Sequence, residues 1–285
     1  MNVDEIAAQH GFAEEDMPDL LGTMAIQGFA SYAEEQNLLH LDAAIRFCRE
    51  ALSRGGDGHP SYASWLSNLG TFLVSRFNET NNIADLDGAI QSLQQAIDVT
   101  TPEDPDREDY LNNLGVVLEQ SYEATGDMRR LEDAIQISRQ NIGSLPADQH
   151  EQKTPYLNNL ANQLGRRYDK SGDIRDLEEA ISLARWVVSL TLAEDNNLAG
   201  YLGNLGSKLV CLYKYTKEMH HLEEAIHIMR QSAYLWGEET HEKREDAFNS
   251  LKGLLKEKYK RTGIMKDLGE AVLGVIPTRN GLQFA

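Results

Sequence analysis

Cysteine, proline and basic side chains are all scarce in this chain: two cysteines, seven prolines and 27 lysines and arginines among 285 residues. Cys48 and Cys211 stand far apart in sequence, which argues against a disulfide framework and for a reducing compartment, and each falls within a helical pattern where a buried thiol acts as a small hydrophobe. With 45 acidic residues against 27 basic ones, the formal charge is −18. A sequence-independent grip on phosphate backbones needs clustered lysine and arginine, so nucleic acid is not an expected partner, and a protein or peptide of basic character is. The plainer reading of the same charge is an acidic surface that keeps a long helical chain in solution. No uncharged apolar stretch approaches the roughly 18 residues of a membrane span, and the start, MNVDEIAAQHGF, lacks a basic segment followed by an apolar run. The expectation is a cytoplasmic protein without membrane contact. A hydrophobic fraction of 41% fits a folded chain.

What the sequence has in abundance is repetition. The stretch from Tyr110 to Pro146, YLNNLGVVLEQSYEATGDMRRLEDAIQISRQNIGSLP, recurs with variations along the chain. Aligned on its first leucine, the series is Leu21, Leu66, Leu111, Leu157, Leu202 and Phe248, with intervals of 45, 45, 46, 45 and 46 residues. An aromatic follows 11 residues later each time (Tyr32, Phe77, Tyr122, Tyr168, Tyr213, Tyr259), and a leucine 20 residues later (Leu41, Leu86, Leu131, Leu177, Leu222, Leu268). A fixed period with fixed internal anchors is the mark of stacked repeats whose neighbours bury one another.

Within a repeat, Leu111, Leu114, Leu118 and Tyr122 lie on one face of a 3.6-residue helix, and the same face reads Leu66, Leu69, Leu73, Phe77 and Leu157, Leu160, Leu164, Tyr168. This is the A helix. Gly126 supplies a left-handed residue to end it and Asp127 caps the next helix; Gly172-Asp173 repeats the arrangement and Asn81-Asn82 substitutes for it. The B helix then carries Leu131, Ala134, Ile135 and Ser138 on its buried side, antiparallel to A because the link is short. Ala44, Ala89, Ala134, Ala180, Ala225 and Ala271 hold one position, where a methyl lets two axes approach. Breakers such as Gly55-Gly56-Asp57-Gly58-His59-Pro60 and Thr101-Pro102 separate repeats. The expected fold is all-α: a right-handed α-solenoid of six helix-turn-helix repeats starting near 18, 63, 108, 154, 199 and 245. A lead-in over 1–17, a single repeat domain over 18–277 and a tail over 278–285 complete the organisation.

The pattern Leu-x-x-Leu-Gly/Ala in helix A, the alanine in helix B and a proline near the boundary resemble tetratricopeptide repeats, here longer than the usual 34 residues. LNNLG (Leu111 to Gly115) and LNNLA (Leu157 to Ala161) are similar to the long repeats of kinesin light chain. YEATGDMRRLEDAI and YDKSGDIRDLEEAI resemble arrays of fungal proteins that carry a CHAT peptidase or a nucleotide-binding signalling domain. The resemblance covers about 18 to 275, and it implies a concave groove in which the residue before the second leucine of helix A bonds the backbone or terminal carboxylate of a bound peptide. Those positions are Asn68, Asn113, Asn159 and Asn204, and Asn112, Asn158, Asn162 and Arg166 join them as candidates on the same helices. A side-chain amide offers donors and an acceptor, so a row of them can read an extended main chain; the competing role is bracing between helices. A carboxylate clamp also wants basic residues on that face: Arg166 qualifies, while the first turns offer Ser64 and Asp109.

No metal or cofactor is expected. His220, His221 and His227 lack a completing set of ligands, and His221 takes the position of Asp85, Arg130 and Asp176, which reads as an exposed turn. There is no phosphate loop, nucleophile elbow or HExxH motif, and Glu178-Glu179 reads as a solvated helix face. The leading function is therefore a non-catalytic binding scaffold, the sensing or regulatory module of a larger signalling or peptidase system. An enzyme with its site in the groove and a self-assembling structural module are the alternatives. The apolar end Ala271 to Pro277, with Leu282 and Phe284 after it, leads to the expectation that the tail folds back over the last repeat in a monomer, or that a second copy covers it.

Overall fold

The computed structural model describes residues 13–144, 153–236 and 241–273. After a 3-10 turn, Glu14–Asp16, the helices are α1 (Met17–Glu35), α2 (Leu38–Gly55), α3 (Tyr62–Thr80), α4 (Ile83–Val99), α5 (Arg107–Thr125) and α6 (Met128–Ser144). They are followed by α7 (Thr154–Ser171), α8 (Ile174–Leu190), α9 (Leu198–Thr216), α10 (Met219–Leu235), α11 (His241–Thr262) and α12 (Met265–Leu273). No strand occurs among the described residues. Odd-numbered helices are the A helices and even-numbered ones the B helices. The chain forms two compact units, Met1–Ser144 and Leu145–Ala285, each holding three A–B pairs. Within each unit every helix packs on its neighbours in sequence, and successive A helices touch. Each is thus a short α-solenoid.

The reason each pair is antiparallel lies in two residues. Gln36, Asn81, Gly126, Gly172, Lys217 and Gly263 all adopt left-handed backbone, with φ between 53° and 74°. Each donates its N–H to the carbonyl of the aromatic anchor one turn back, as in Gly126 to Tyr122 at 2.7 Å and Lys217 to Tyr213 at 2.8 Å. The following residue caps the B helix: Asn37, Asn82, Asp127 and Asp173 accept from the backbone N–H two residues on. A hydroxyl row adds to this, since Thr80, Thr125, Ser171, Thr216 and Thr262 accept the N–H two residues ahead and close the turn from inside.

Packing follows the register. The first leucines Leu21, Leu66, Leu111, Leu157 and Leu202 are buried, and the alanine row from Ala44 to Ala271 is 0–3% exposed, so side chains no larger than methyl do sit at the helix contact. The last pair is looser: Phe248 and Leu268, at the two leucine positions, are half-buried, and Leu251 and Leu255 fill the core there instead. A volume exchange tunes four of the A–B crossings, while the third repeat has Gly115 with Ser138 at the positions concerned. A Cβ on Gly70 would lie 3.0 Å from Leu93 Cγ, and one on Gly206 would lie 2.9 Å from Met229 Cγ. The same two register positions hold Ala25 with Cys48 and Ala161 with Ala184, so where the A helix has a methyl the B helix has a smaller partner.

Charges join the helices too, in a way the repeat pattern disguised. Asp85 and Asp176, expected at an exposed turn, are 3% and 7% exposed. Arg76 grips Asp85 with two bonds of 3.1 and 2.5 Å, and Arg167 grips Asp176 with two of 2.8 and 2.6 Å. His221, at the same position, is half-buried, with Thr216 Oγ1 2.8 Å from its Nδ1. The correction has a simple cause. Antiparallel packing brings a residue nine positions earlier on the A helix over the first turn of the B helix, and a carboxylate under an arginine loses its water. Between repeats, Arg76 also reaches Asp42 at 3.0 Å, Arg130 reaches Asp87 at 2.8 Å and Lys258 reaches Glu223 at 3.3 Å. Of the acidic pair Glu178-Glu179, Glu178 is exposed and Glu179 half-buried.

Most of the lead-in, residues 1–12, and everything after 273, which carries the expected back-folding tail, lie outside the described residues; so do the side chains of Val272 and Leu273. No described helix is long and apolar enough to cross a membrane.

Candidate functional site

Along the A helices the two units differ in sign. In the first, α1 carries Asp19, Glu34 and Glu35 with no basic residue, α3 balances Arg76 with Glu79, and α5 sets four carboxylates against Arg107, a net −6. In the second, α7 sets Arg166, Arg167 and Lys170 against Asp169, α9 carries Lys208 and Lys214 with no carboxylate, and α11 holds seven basic residues and four acidic ones, a net +7. The excess of negative charge in the chain therefore resides elsewhere, largely in connectors such as Thr101–Asp106.

A cleft of about 240 Å³ opens between α7 and α9 in the second unit, with Leu177 of α8 at its base. Asn162, Arg166, Asn204 and Lys208 line it. Lys208 is only 7% exposed; its ammonium donates to Asn162 Oδ1 at 2.8 Å and lies 3.5 Å from the Asn204 carbonyl. Asn204 Nδ2 donates to Asn158 Oδ1 at 3.0 Å, across one repeat. This amide therefore braces neighbouring A helices, and its remaining donor and acceptor positions are what it can offer to another chain. Arg166 and Asp169 stand exposed at the rim. Cys211, at the wall, has its thiol pKa raised by burial and by the nearby Asp169 carboxylate, which opposes thiolate formation.

Of the eight residues singled out from the sequence, the fold thus gathers Asn158, Asn162, Arg166 and Asn204 around this cleft. Asn159 is half-buried on the same helix, α7, while Asn68, on α3, and Asn112 and Asn113, on α5, are half-buried in the first unit. Lys208 was missed, although a signal existed. Its register position is apolar and buried in Phe72, Val117 and Leu254, polar and exposed in Gln27 of the first repeat, but polar and buried in Gln163 and Lys208 here.

On the other side of α9 a second recess of about 350 Å³ is formed with α11, lined by Tyr213, Lys214, Lys217, Glu257 and Arg261. Tyr213 Oη donates to Glu257 Oε1 at 3.2 Å, and the Arg261 guanidinium lies 5.3 Å from the Tyr213 ring centre while donating to the Lys217 carbonyl at 2.8 Å. Burial, and then the bond to Glu257, raise the Tyr213 pKa. A third recess, about 400 Å³, lies in the first unit on the B-helix side, over Leu66, Leu69 and Leu73. It exists because Gly88 and Ser92 stand where other repeats place a carboxylate and a large apolar side chain, for example Glu224 and Ile228. The histidines do local work: besides the His221 contact, His227 Nε2 is 3.3 Å from the Gln231 amide, and no group of three His, Cys, Asp or Glu among the described residues is placed to hold a metal.

Residues 109–151 match the tetratricopeptide repeat family. No curated protein matches the sequence. Among solved structures, a putative kinesin light chain from Podospora anserina with nearly identical tetratricopeptide-like repeats is 16% identical, and the alignment covers 75% of this chain and 97% of that one with a TM-score of 0.53. MamA of Desulfovibrio magneticus RS-1, from its residue 41 to the end, is 17% identical, with 77% and 98% covered and a TM-score of 0.51. At such identities the likeness is one of fold.

Proposed function

We propose that this chain, a tetratricopeptide-repeat protein with long repeats, is a non-catalytic scaffold that binds a protein or peptide segment on the A-helix face of its C-terminal unit. The observation that carries the reading is the cleft between α7 and α9. Asn162, Asn204, Arg166 and Lys208 converge there from two successive repeats, so a segment lying across the helices meets amide and cationic groups at once. Such groups bond main-chain carbonyls and amides without demanding particular side chains. Catalysis is the weaker reading because the thiol in the cleft, Cys211, has its pKa pushed up rather than down. The likeness of the repeats to arrays joined to peptidase and nucleotide-binding signalling domains supports a place for this chain as a sensing module in a larger system.

The test begins with isolation of the partner from the native source and continues with calorimetric titration. Asn162→Ala combined with Asn204→Ala should weaken binding by about 1 to 3 kcal/mol, the range for removing hydrogen bonds at a buried contact, while Asn68→Ala leaves it unchanged. Equal affinity in the parent and the double variant moves the binding site off this face.

A further inference from the structure

We infer that the recess on the B-helix side of the N-terminal unit is a binding site for a small monocarboxylic acid, one whose apolar body is a single ring or a branched chain. The inference goes beyond the cleft between α7 and α9 and does not rest on it.

The first support is a side chain that the register calls for and the second repeat omits. Six residues after the leucine anchor of the B helix stand Phe47, Ile137, Leu183 and Ile228, and each packs on the core of its unit. The second repeat has Ser92 there, with Gly88 one turn before it. Ser92 is buried, and its Oγ donates to the Gly88 carbonyl at 2.9 Å, so the hydroxyl is satisfied along its own helix. What remains is an opening of about 400 Å³ between α2 and α4, floored by Leu66, Leu69 and Leu73 of α3. Protein cores fill to the density of organic crystals. An opening floored by leucine, where sister repeats place an aliphatic or aromatic side chain, is thus shaped for a hydrocarbon group of that size. Its volume falls within the range of about 300 to 1,000 Å³ that small-molecule sites occupy.

The second support is an unneutralised charge at the rim. Arg49 of α2 lines the recess, exposed, and no hydrogen bond or ion pair joins it to another described residue. The carboxylates of α2 and α4 are already held: Glu50 by Arg54 at 2.7 Å, Asp42 and Asp85 by Arg76, Asp87 by Arg130 at 2.8 Å and Asp98 by the Gln94 amide at 3.0 Å. Tyr62 adds a donor, because its hydroxyl accepts from Gln95 Nε2 at 3.0 Å and keeps its own proton to give. A guanidinium and a phenol O–H suit a carboxylate, whose two oxygens take charge-assisted bonds from a planar fork. The rest of the polar rim is neutral, with Ser53 and Gln91 in it, so the site matches one negative charge and not the nearly two of a phosphate monoester. The Tyr62–Gln95 bond also ties α3 to α4 across one end of the recess. A compact molecule fits such a place better than a chain that must pass through it.

Titration calorimetry on the full chain tests this with 3-phenylpropanoate, its neutral amide, 3-phenylpropylamine, acetate, phenyl phosphate and a tetrapeptide ending in phenylalanine with a free carboxylate. 3-Phenylpropanoate should bind with a Kd below about 1 mM, and the amide, the amine and acetate should each bind at least about tenfold more weakly. Ser92→Ile supplies the side chain of the sister repeats. It should raise the thermal midpoint and weaken the acid by at least about tenfold. Arg49→Gln, at an exposed position, should weaken the acid by about tenfold while leaving the midpoint unchanged. An amide that binds as tightly as the acid, or acid binding indifferent to Ser92→Ile or to Arg49→Gln, overturns the assignment. A lower midpoint in Ser92→Ile overturns it as well, since the recess then has no room for an apolar group. Tighter binding of phenyl phosphate or of the tetrapeptide overturns the class of ligand, and heat from none of the probes overturns the site.

Discussion

Replacing Gly70 by alanine sets the repeat's shape against its helix propensity. In the interior of α3, alanine is intrinsically favoured over glycine by about 1 kcal/mol. Against this, the added Cβ would lie 3.0 Å from Leu93 Cγ and 3.3 and 3.4 Å from its two methyls. Cγ is a branch point, so relief requires moving a whole leucine that is itself 1% exposed. Overpacking a filled core by one carbon costs about 1 to 3 kcal/mol. The balance is a net loss of about 1 kcal/mol, or a fall of about 2 to 4 °C in Tm for a body of this size. Gly253, mid-helix in α11, is the control, because nothing lies within 4 Å of its would-be Cβ; Gly253→Ala should stabilise by up to about 1 kcal/mol. Urea denaturation of the two variants beside the parent reads both signs. In the Gly70→Ala background, Leu93→Ala should also cost about 1 kcal/mol less than it does in the parent, since the crowding is relieved. If Gly70→Ala raises the midpoint as Gly253→Ala does, the exchange of volume between A and B helices is not what fixes the small residue, and the packing argument is refuted.

Arg76→Ala strands the buried Asp85 carboxylate and should destabilise by about 2 to 3 kcal/mol in chemical denaturation, while Arg76→Met with Asp85→Leu recovers most of the loss; an additive double variant would show that the two residues are not coupled. His221 has its pKa lowered, first by burial and then by His220, so the folded state binds its proton less readily than the unfolded one. Stability from this group is complete above the unfolded value of about 6.5 and declines as pH falls from there through the lower folded pKa. His221→Gln should flatten that part of the stability–pH curve, and an NMR titration placing His221 at or above the free-histidine value would contradict the assignment. Gln36 and Lys217 hold the left-handed turn position without being glycine, at φ of 53° and 60°. Gln36→Gly should therefore stabilise by up to about 1 kcal/mol, and a lower Tm would show that the Gln36 side-chain bond to the Ala33 carbonyl outweighs the strain.

The fold was legible because its determinants are local. A leucine every 45 or 46 residues, an aromatic 11 later and a two-residue turn each act within one helix pair, and a single sequence displays them. Asp85 and Asp176 were misread because what buries them sits nine residues earlier on the antiparallel helix, and only packing reveals that the turn position lies beneath an arginine. Four of the eight candidate side chains came together because Asn158, Asn162, Arg166 and Asn204 share helix faces that period alone predicts. Lys208 escaped because its register position varies between apolar and polar residues from repeat to repeat, and only packing shows that it is buried here.

The inter-repeat ion pairs have a consequence for how such a chain can change its length. Asp42, Asp87 and Glu223 occupy one position on successive kinds of B helix, and the next repeat supplies the cation from either of two places: Arg76 and Lys258 from an A helix, Arg130 from a B helix. A common socket with alternative plugs lets different repeats follow one another, while the matched volumes at Gly70 and Leu93 or Gly206 and Met229 are settled inside a single repeat. At these three joints the whole repeat is the natural unit of exchange, though Gly22 under Trp65 is a fit made between repeats. Duplication or loss of a segment of 45 or 46 residues carries its internal fit along with it and meets a ready joint, whereas a cut through the middle of a repeat divides a fitted pair. Gene rearrangement, or a designer extending the array, is steered by that asymmetry toward whole-number steps.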